Sequence, residues 1–115
     1  MHEYSIVQAL VERVAVEVEA RGATSVSRLQ VRLGEQAGVD PELLATAWTT
    51  FCEGTVCAGA RLDLVNVAAA WGCPRCRSPI ERGGLLHCTT CGAPARLIAG
   101  DEILLDRIEM EVPHV

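Results

Sequence analysis

A chain of 115 residues with a formal net charge of −5 has room for one modest core and an appendage. Half of it is apolar, yet Trp, Tyr and Phe together number four, so Val, Leu, Ile and Ala must fill the core; no apolar run approaches the ~18 residues of a membrane-spanning helix. The start, MHEYSIVQAL, lacks the basic segment of a secretory signal, which points to the cytoplasm, and CxxC cysteines suit that reducing compartment.

Residues 5–21 carry Val7, Leu10, Val11, Val14 and Val18 at helical spacing, with Glu12, Arg13, Glu17 and Glu19 largely elsewhere. Ser5 with Gln8 reads as a capping box, and Gly22 as the stop. Valine is a mediocre helix former, so tertiary packing has to help hold this helix. Residues 26–34 alternate: Leu29, Val31 and Leu33 point one way, Arg28, Gln30 and Arg32 the other, as in a strand with one wet face. Gly34 and Gly38 bracket a loop. Asp40-Pro41 then opens a second helix, with Asp40 at the N-cap and Pro41 at the first helical position. Leu44, Ala47, Trp48 and Phe51 form its apolar face, and Gly54 ends it. Residues 60–70 read as one strand running toward the next segment. After Gly100, EILLDRIEMEV is the last strand, with Ile108, Met110 and Val112 alternating with Glu109 and Glu111.

Between these strands lies WGCPRCRSPIERGGLLHCTTCGAPARL, residues 71–97, with Cys73-x-x-Cys76 and Cys88-x-x-Cys91. Each CxxC turn brings two sulfurs to one side of a knuckle, and two facing knuckles give four thiolates at the corners of a tetrahedron. Zinc suits such soft donors and imposes no other geometry. An iron centre on the same sulfurs, or two disulfides, are the alternatives. Four protein ligands leave no open position, so a zinc here is structural. Gly92 follows the second pair and can take a positive φ; Arg77 stands at the matching place in the first, so the knuckles are not identical in sequence.

The order α-β-α-β-(cysteine module)-β predicts an α+β fold: two helices on a three-stranded sheet with an inserted four-cysteine, zinc-ribbon-like module. The expected division is residues 1–70 plus 98–115 as one domain and 71–97 as the other. Within 71–97, Arg75, Arg77, Arg82 and Arg96 stand against Glu81 alone, while the rest of the chain is acidic. A zinc-ribbon nucleic-acid module is therefore a competing function, but this stretch adds only Trp71 as an aromatic and the acidic remainder opposes it. A dithiol redox protein is a third reading, and needs an exposed thiolate that zinc would occupy.

At the other end, Met1, His2 and Glu3 form a nitrogen-rich donor set. The α-amine of Met1 with the amide and imidazole nitrogens of His2 closes two fused chelate rings, and Glu3 is near enough to add a donor; such a planar set suits Ni(II) or Cu(II). A histidine near a chain start is more commonly a solvated side chain, and the weight comes from its neighbours.

These marks together resemble the HypA/HybF hydrogenase maturation proteins: MHE, then SIVQALV, RLGEQAGVDPELL, EGTVCAGARL, the two CxxC pairs and GDEILLDRIEME, over nearly the whole length. The resemblance implies a nickel metallochaperone and not an enzyme. It implies nickel on His2, with Glu3 contributing and the Met1 amine or Asp40 completing the set, and a structural zinc on Cys73, Cys76, Cys88 and Cys91. It implies delivery of Ni(II) to the large-subunit precursor of [NiFe]-hydrogenase, with a GTP-hydrolysing nickel chaperone as partner, and in some organisms service to urease. Asp40 already has a full explanation as a helix cap. His87 beside Cys88 is expected to face water, and His114 to be disordered near a free end. Cys52 and Cys57 map to no functional position and read as buried thiols.

Overall fold

The computed structural model describes residues 2–81, 83 and 85–113. Met1, Arg82 and His114, each given a role above, lie outside the described residues. The first helix, α1 (Glu3–Arg21), begins two residues before the expected Ser5 start. The Ser5–Gln8 capping box is not formed. Ser5 lies inside the helix, and Gln8 donates through Nε2 to Glu12 at 3.3 Å. His2 is the residue before the first turn, with left-handed backbone (φ 64) and no side-chain cap bond. Glu3 stands in that first turn, where the positive end of the helix dipole favours an acid. Gly22 ends α1 at φ 63, as its position suggests.

Strand β1 (Ser25–Gly34) leads into α2 (Pro41–Phe51), and α2 returns the chain to β2 (Arg61–Val67). β2 lies parallel to β1, an arrangement that needs the intervening helix as a crossover. After β3 (Ala70–Gly72), β4 (Pro79–Ile80) and β5 (Arg96–Ala99), β6 (Ile103–Glu111) comes back antiparallel on the other side of β1, giving the order β2-β1-β6. The helices cover one face of this sheet. Leu29, Val31 and Leu33 of β1 pack with Val7, Leu10, Val11 and Val14 of α1 and with Leu44, Ala47 and Trp48 of α2. Trp48 is 3 % exposed and its indole N–H donates to the Ala60 carbonyl at 2.9 Å, so its polar atom is satisfied inside the core.

Two irregularities interrupt the β1–β6 ladder. Ser27 is skipped between the pairs Val26–Met110 and Arg28–Glu109, and Asp106 between Gln30–Arg107 and Val31–Leu105. The extra residue at Asp106 is a bulge. It keeps Ile103 and Leu105 before it, and Ile108 and Met110 after it, all packed against the core.

The single strand expected over 60–70 is two. β2 stops at Val67, and β3 belongs to a second three-stranded sheet, ordered β4-β3-β5 and antiparallel throughout. The physical reason is at Ala69, whose N–H leaves the ladder for the Glu35 carboxylate at 2.8 Å. The second sheet carries the cysteine knuckles away from the first. The molecule measures 60 × 31 × 16 Å with a radius of gyration of 18.3 Å, against ~13 Å for a compact chain of about this length. Among the described residues no helix is long and apolar enough to cross a membrane.

Candidate metal centres

Cys73 follows directly on β3, and Cys76 closes the first knuckle. The Arg77 N–H donates to the Cys73 carbonyl at 2.9 Å, and the Cys76 N–H points at the Cys73 sulfur at 3.2 Å. The second knuckle repeats the first bond: Gly92 N–H donates to the Cys88 carbonyl at 2.9 Å. Each knuckle is closed at its base, Cys73 N–H to Ser78 O at 2.9 Å and Cys88 N–H to Ala93 O at 2.8 Å. The sequence difference between them disappears in the backbone. Gly92 has φ 74 and Arg77 has φ 58, so arginine adopts the left-handed conformation that glycine takes freely. The sequence signal for this is the place Arg77 shares with Gly92, directly after a CxxC pair.

The four sulfurs form one cluster, all within 4.8 Å of one another. Cys73 and Cys91 approach to 3.4 Å, Cys76 and Cys88 to 4.0 Å. Four sulfurs at ~2.3 Å from a central zinc stand about 3.8 Å apart, so the cluster fits a tetrahedral thiolate site. Cys73 and Cys88 are buried while Cys76 and Cys91 are exposed. The thiols also differ in acidity. Backbone N–H groups of Cys91 and Thr90 pull Cys88 down to about 6, and those of Cys76 and Arg75 lower Cys73. The crowding sulfurs of Cys91, Cys73 and Cys88 push Cys76 upward. Cys73 and Cys88 are thus readier thiolates than Cys76.

His87 is exposed and pairs through its backbone with Pro94, outside the four-residue group. Cys52 and Cys57 are buried in the larger core at 3 % and 0 % exposure; burial, aided by Cys57, pushes Cys52 up to about 12. Neither approaches the cysteine cluster as a member.

At the opposite end, the structure brings Glu3 and Asp40 together from two helices. Glu3 is 9 % exposed, and its Oε2 accepts from the Asp40 backbone N–H at 3.4 Å. Asp40 caps α2 as its sequence suggests: Oδ1 alone accepts from Glu42 N–H at 2.9 Å and Leu43 N–H at 3.3 Å. Both cap bonds fall on one oxygen, which leaves Oδ2 outside the cap. His2, adjacent to Glu3, is exposed. Three of the four residues proposed for nickel therefore lie at one end of the helical layer, with their donors on exposed or helix-terminal positions. The fourth, Met1, is not described.

Comparison with known proteins gives one answer from three directions. The family model described as "Hydrogenase/urease nickel incorporation, metallochaperone, hypA" matches residues 1–110. A hydrogenase maturation factor HypA of Deinococcus radiodurans is 43 % identical over 91 % of this chain and 89 % of its own length. One from Shewanella oneidensis is 37 % identical over 96 % of each. The solution structure of the Ni metallochaperone HypA from Helicobacter pylori superposes with a TM-score of 0.74 at 29 % identity, covering 98 % of this chain and 100 % of that one. A second HypA solution structure superposes at 0.80 with 28 % identity, covering 98 % of each.

Proposed function

The chain belongs to the HypA family of nickel-incorporation metallochaperones of hydrogenase maturation, and from that premise we propose that it binds Ni(II) at its N-terminus and hands it to the large-subunit precursor of [NiFe]-hydrogenase. Like its family it is a metallochaperone and not an enzyme. The observation that supports this reading best is the turn of Glu3 inward onto the Asp40 N–H, directly beside His2. A side chain so buried in the first turn of a helix fixes the point from which His2 projects. His2 supplies imidazole and amide nitrogens, Glu3 and the Oδ2 of Asp40 supply oxygen, and the Met1 amine closes the chelate.

The mechanism is ligand exchange. A shallow site of few donors at an exposed end holds Ni(II) and yields it as an incoming ligand from the acceptor replaces each donor. Copper binds the same donors more tightly, so selectivity comes from docking and from metal supply. The docking partners are the GTP-hydrolysing nickel chaperone and the hydrogenase precursor. Cys73, Cys76, Cys88 and Cys91 hold a structural zinc; when bound it cross-links the two knuckles. The second sheet has little else to hold it, since among the described residues its buried cluster is Cys73, Cys88 and Ala93 with Ile80 against it. On this reading residues 1–70 with 98–115 carry nickel and 71–97 carry zinc.

The test is a calorimetric nickel titration of the zinc-loaded protein and of His2→Ala. The variant is expected to lose specific nickel binding with unchanged zinc content and helix signal. Equal nickel affinity in both proteins would falsify the N-terminal site.

A further inference from the structure

Three stretches of backbone cross where the two sheets join: 34–36 leaving β1, 67–69 leading out to β3, and 100–102 returning from β5. They are laced together. Gly34 N–H donates to Glu102 O at 2.9 Å, Glu35 N–H to Val67 O at 2.8 Å, and Gln36 N–H to Gly100 O at 2.7 Å. The contact is backbone on backbone. A Cβ on Gly34 would fall 2.3 Å from the Gly100 oxygen, and one on Gly100, at φ 95, would fall 2.7 Å from the Ala69 Cα.

The two connections themselves are made of small residues, Ala68, Ala69 and Ala70 going out and Ala99 and Gly100 coming back. None has a side chain long enough to wedge the second sheet at a fixed angle, so the angle rests on the backbone bonds of the crossing and on what reaches over it. The long side chain of Glu35 reaches across it. Glu35 is exposed, yet its Oε1 accepts from the N–H of Ala69, which is 6 % exposed, at 2.8 Å.

We propose that Glu35 is a positioning residue: its carboxylate bolts the hinge at Ala68–Ala70 and so holds the cysteine module at one orientation to the helical layer. The loop that carries Glu35 runs on through Ala37 and Val39, both packed against the core, and ends at Asp40. The bolt is therefore anchored to the end of the molecule that holds Glu3 and Asp40. This inference rests on the hinge alone and is separate from the assignment of nickel to His2. It accounts for how an elongated molecule whose junction is built of small residues presents both ends in a defined relation.

The experiment uses the zinc-loaded full chain and three proteins: wild type, Glu35→Gln and Glu35→Ala. Glutamine keeps a carbonyl oxygen at the same reach; alanine removes the acceptor. Residual dipolar couplings are expected to fit one alignment frame for wild type and Glu35→Gln and to need two frames for Glu35→Ala. Hydrogen exchange of the Ala69 amide is expected to be slow in the first two and about tenfold faster in the third. A single frame in Glu35→Ala, or a Glu35→Gln protein that behaves like the alanine variant, overturns the proposal. Should the alanine variant not fold, exchange in the other two decides: slow in both supports the bolt, and free-peptide rates at Ala69 in wild type overturn it.

Discussion

His2 and Arg77 share a backbone conformation found at no other non-glycine position among the described residues: φ is 64 at the first and 58 at the second. One stands at the N-terminal end beside Glu3, the other inside the first cysteine knuckle. Left-handed backbone at a residue with a Cβ is strained, and such strain gathers where a site requires it. At Arg77 the requirement is visible, because its N–H must turn back to the Cys73 carbonyl.

Arg77→Gly is accordingly expected to stabilise the cysteine module. Glycine removes a left-handed cost of about 1–2 kcal/mol and gives back part of it in unfolded-chain entropy, so the net gain is about 0.5–1 kcal/mol. Gly92→Ala introduces the same strain in the second knuckle and is expected to lose about 1 kcal/mol. Thermal unfolding of the zinc-loaded proteins, followed at Trp71, checks both directions.

Acid is expected to release the metal from the cysteines. Protons and metal compete for the same thiolates. Cys88 is held at about 6 and Cys73 also below the ordinary 9.0, each by backbone N–H donors. These depressed values contribute stability that is present above the unfolded thiol range and is lost as pH falls through the folded value. Retention is therefore expected to weaken as pH falls and protons take the thiolates. A chromophoric zinc indicator read against pH measures it; retention that weakens above neutrality instead would contradict the assignment.

Asp40→Asn and Asp40→Ala separate the cap that Asp40 makes from the nickel role proposed for it. Asparagine caps a helix about as well as aspartate, whereas alanine costs about 0.5–2 kcal/mol. The expected result is a loss of stability only in Asp40→Ala, with nickel affinity reduced about tenfold in both, since neither retains a carboxylate donor. Denaturant unfolding and nickel titration of the pair distinguish them; unchanged nickel binding in Asp40→Asn would restrict Asp40 to the cap.

Thiol chemistry should sort the six cysteines into two classes. Cys52 and Cys57 are 3 % and 0 % exposed, and burial pushes both upward, Cys52 to about 12. In metal-stripped native protein an aromatic disulfide reagent is expected to modify the CxxC thiols promptly and these two only after unfolding. Prompt reaction of all six would show that the core around Trp48 opens readily.

Much of this architecture is legible because the signals are local. Asp40-Pro41 carries its cap and its first helical residue in adjacent positions, and the structure uses both. The CxxC spacing fixes a turn, and the alternation of Leu29, Val31 and Leu33 fixes a buried face. What stays hidden is non-local. The run Val67–Ala70 has no period from which to read a break, since the break is made by Glu35, distant in sequence. The start of α1 escapes the sequence because Ser5 and Gln8 match a cap pattern while the actual boundary rests on the φ of His2. The bulge at Asp106 leaves a trace in hindsight: two polar residues in succession, Asp106 and Arg107, where alternation calls for one.

That bulge also bears on how the protein survives at high concentration. β6 is an edge strand of nine residues, rich in Ile and Leu, and such an edge is a template on which a strand of another molecule can stack. The extra residue bends the strand midway and doubles a polar side chain at its centre. A straight incoming strand then has no continuous hydrogen-bonding register to match across Asp106, which blunts this edge against strand addition.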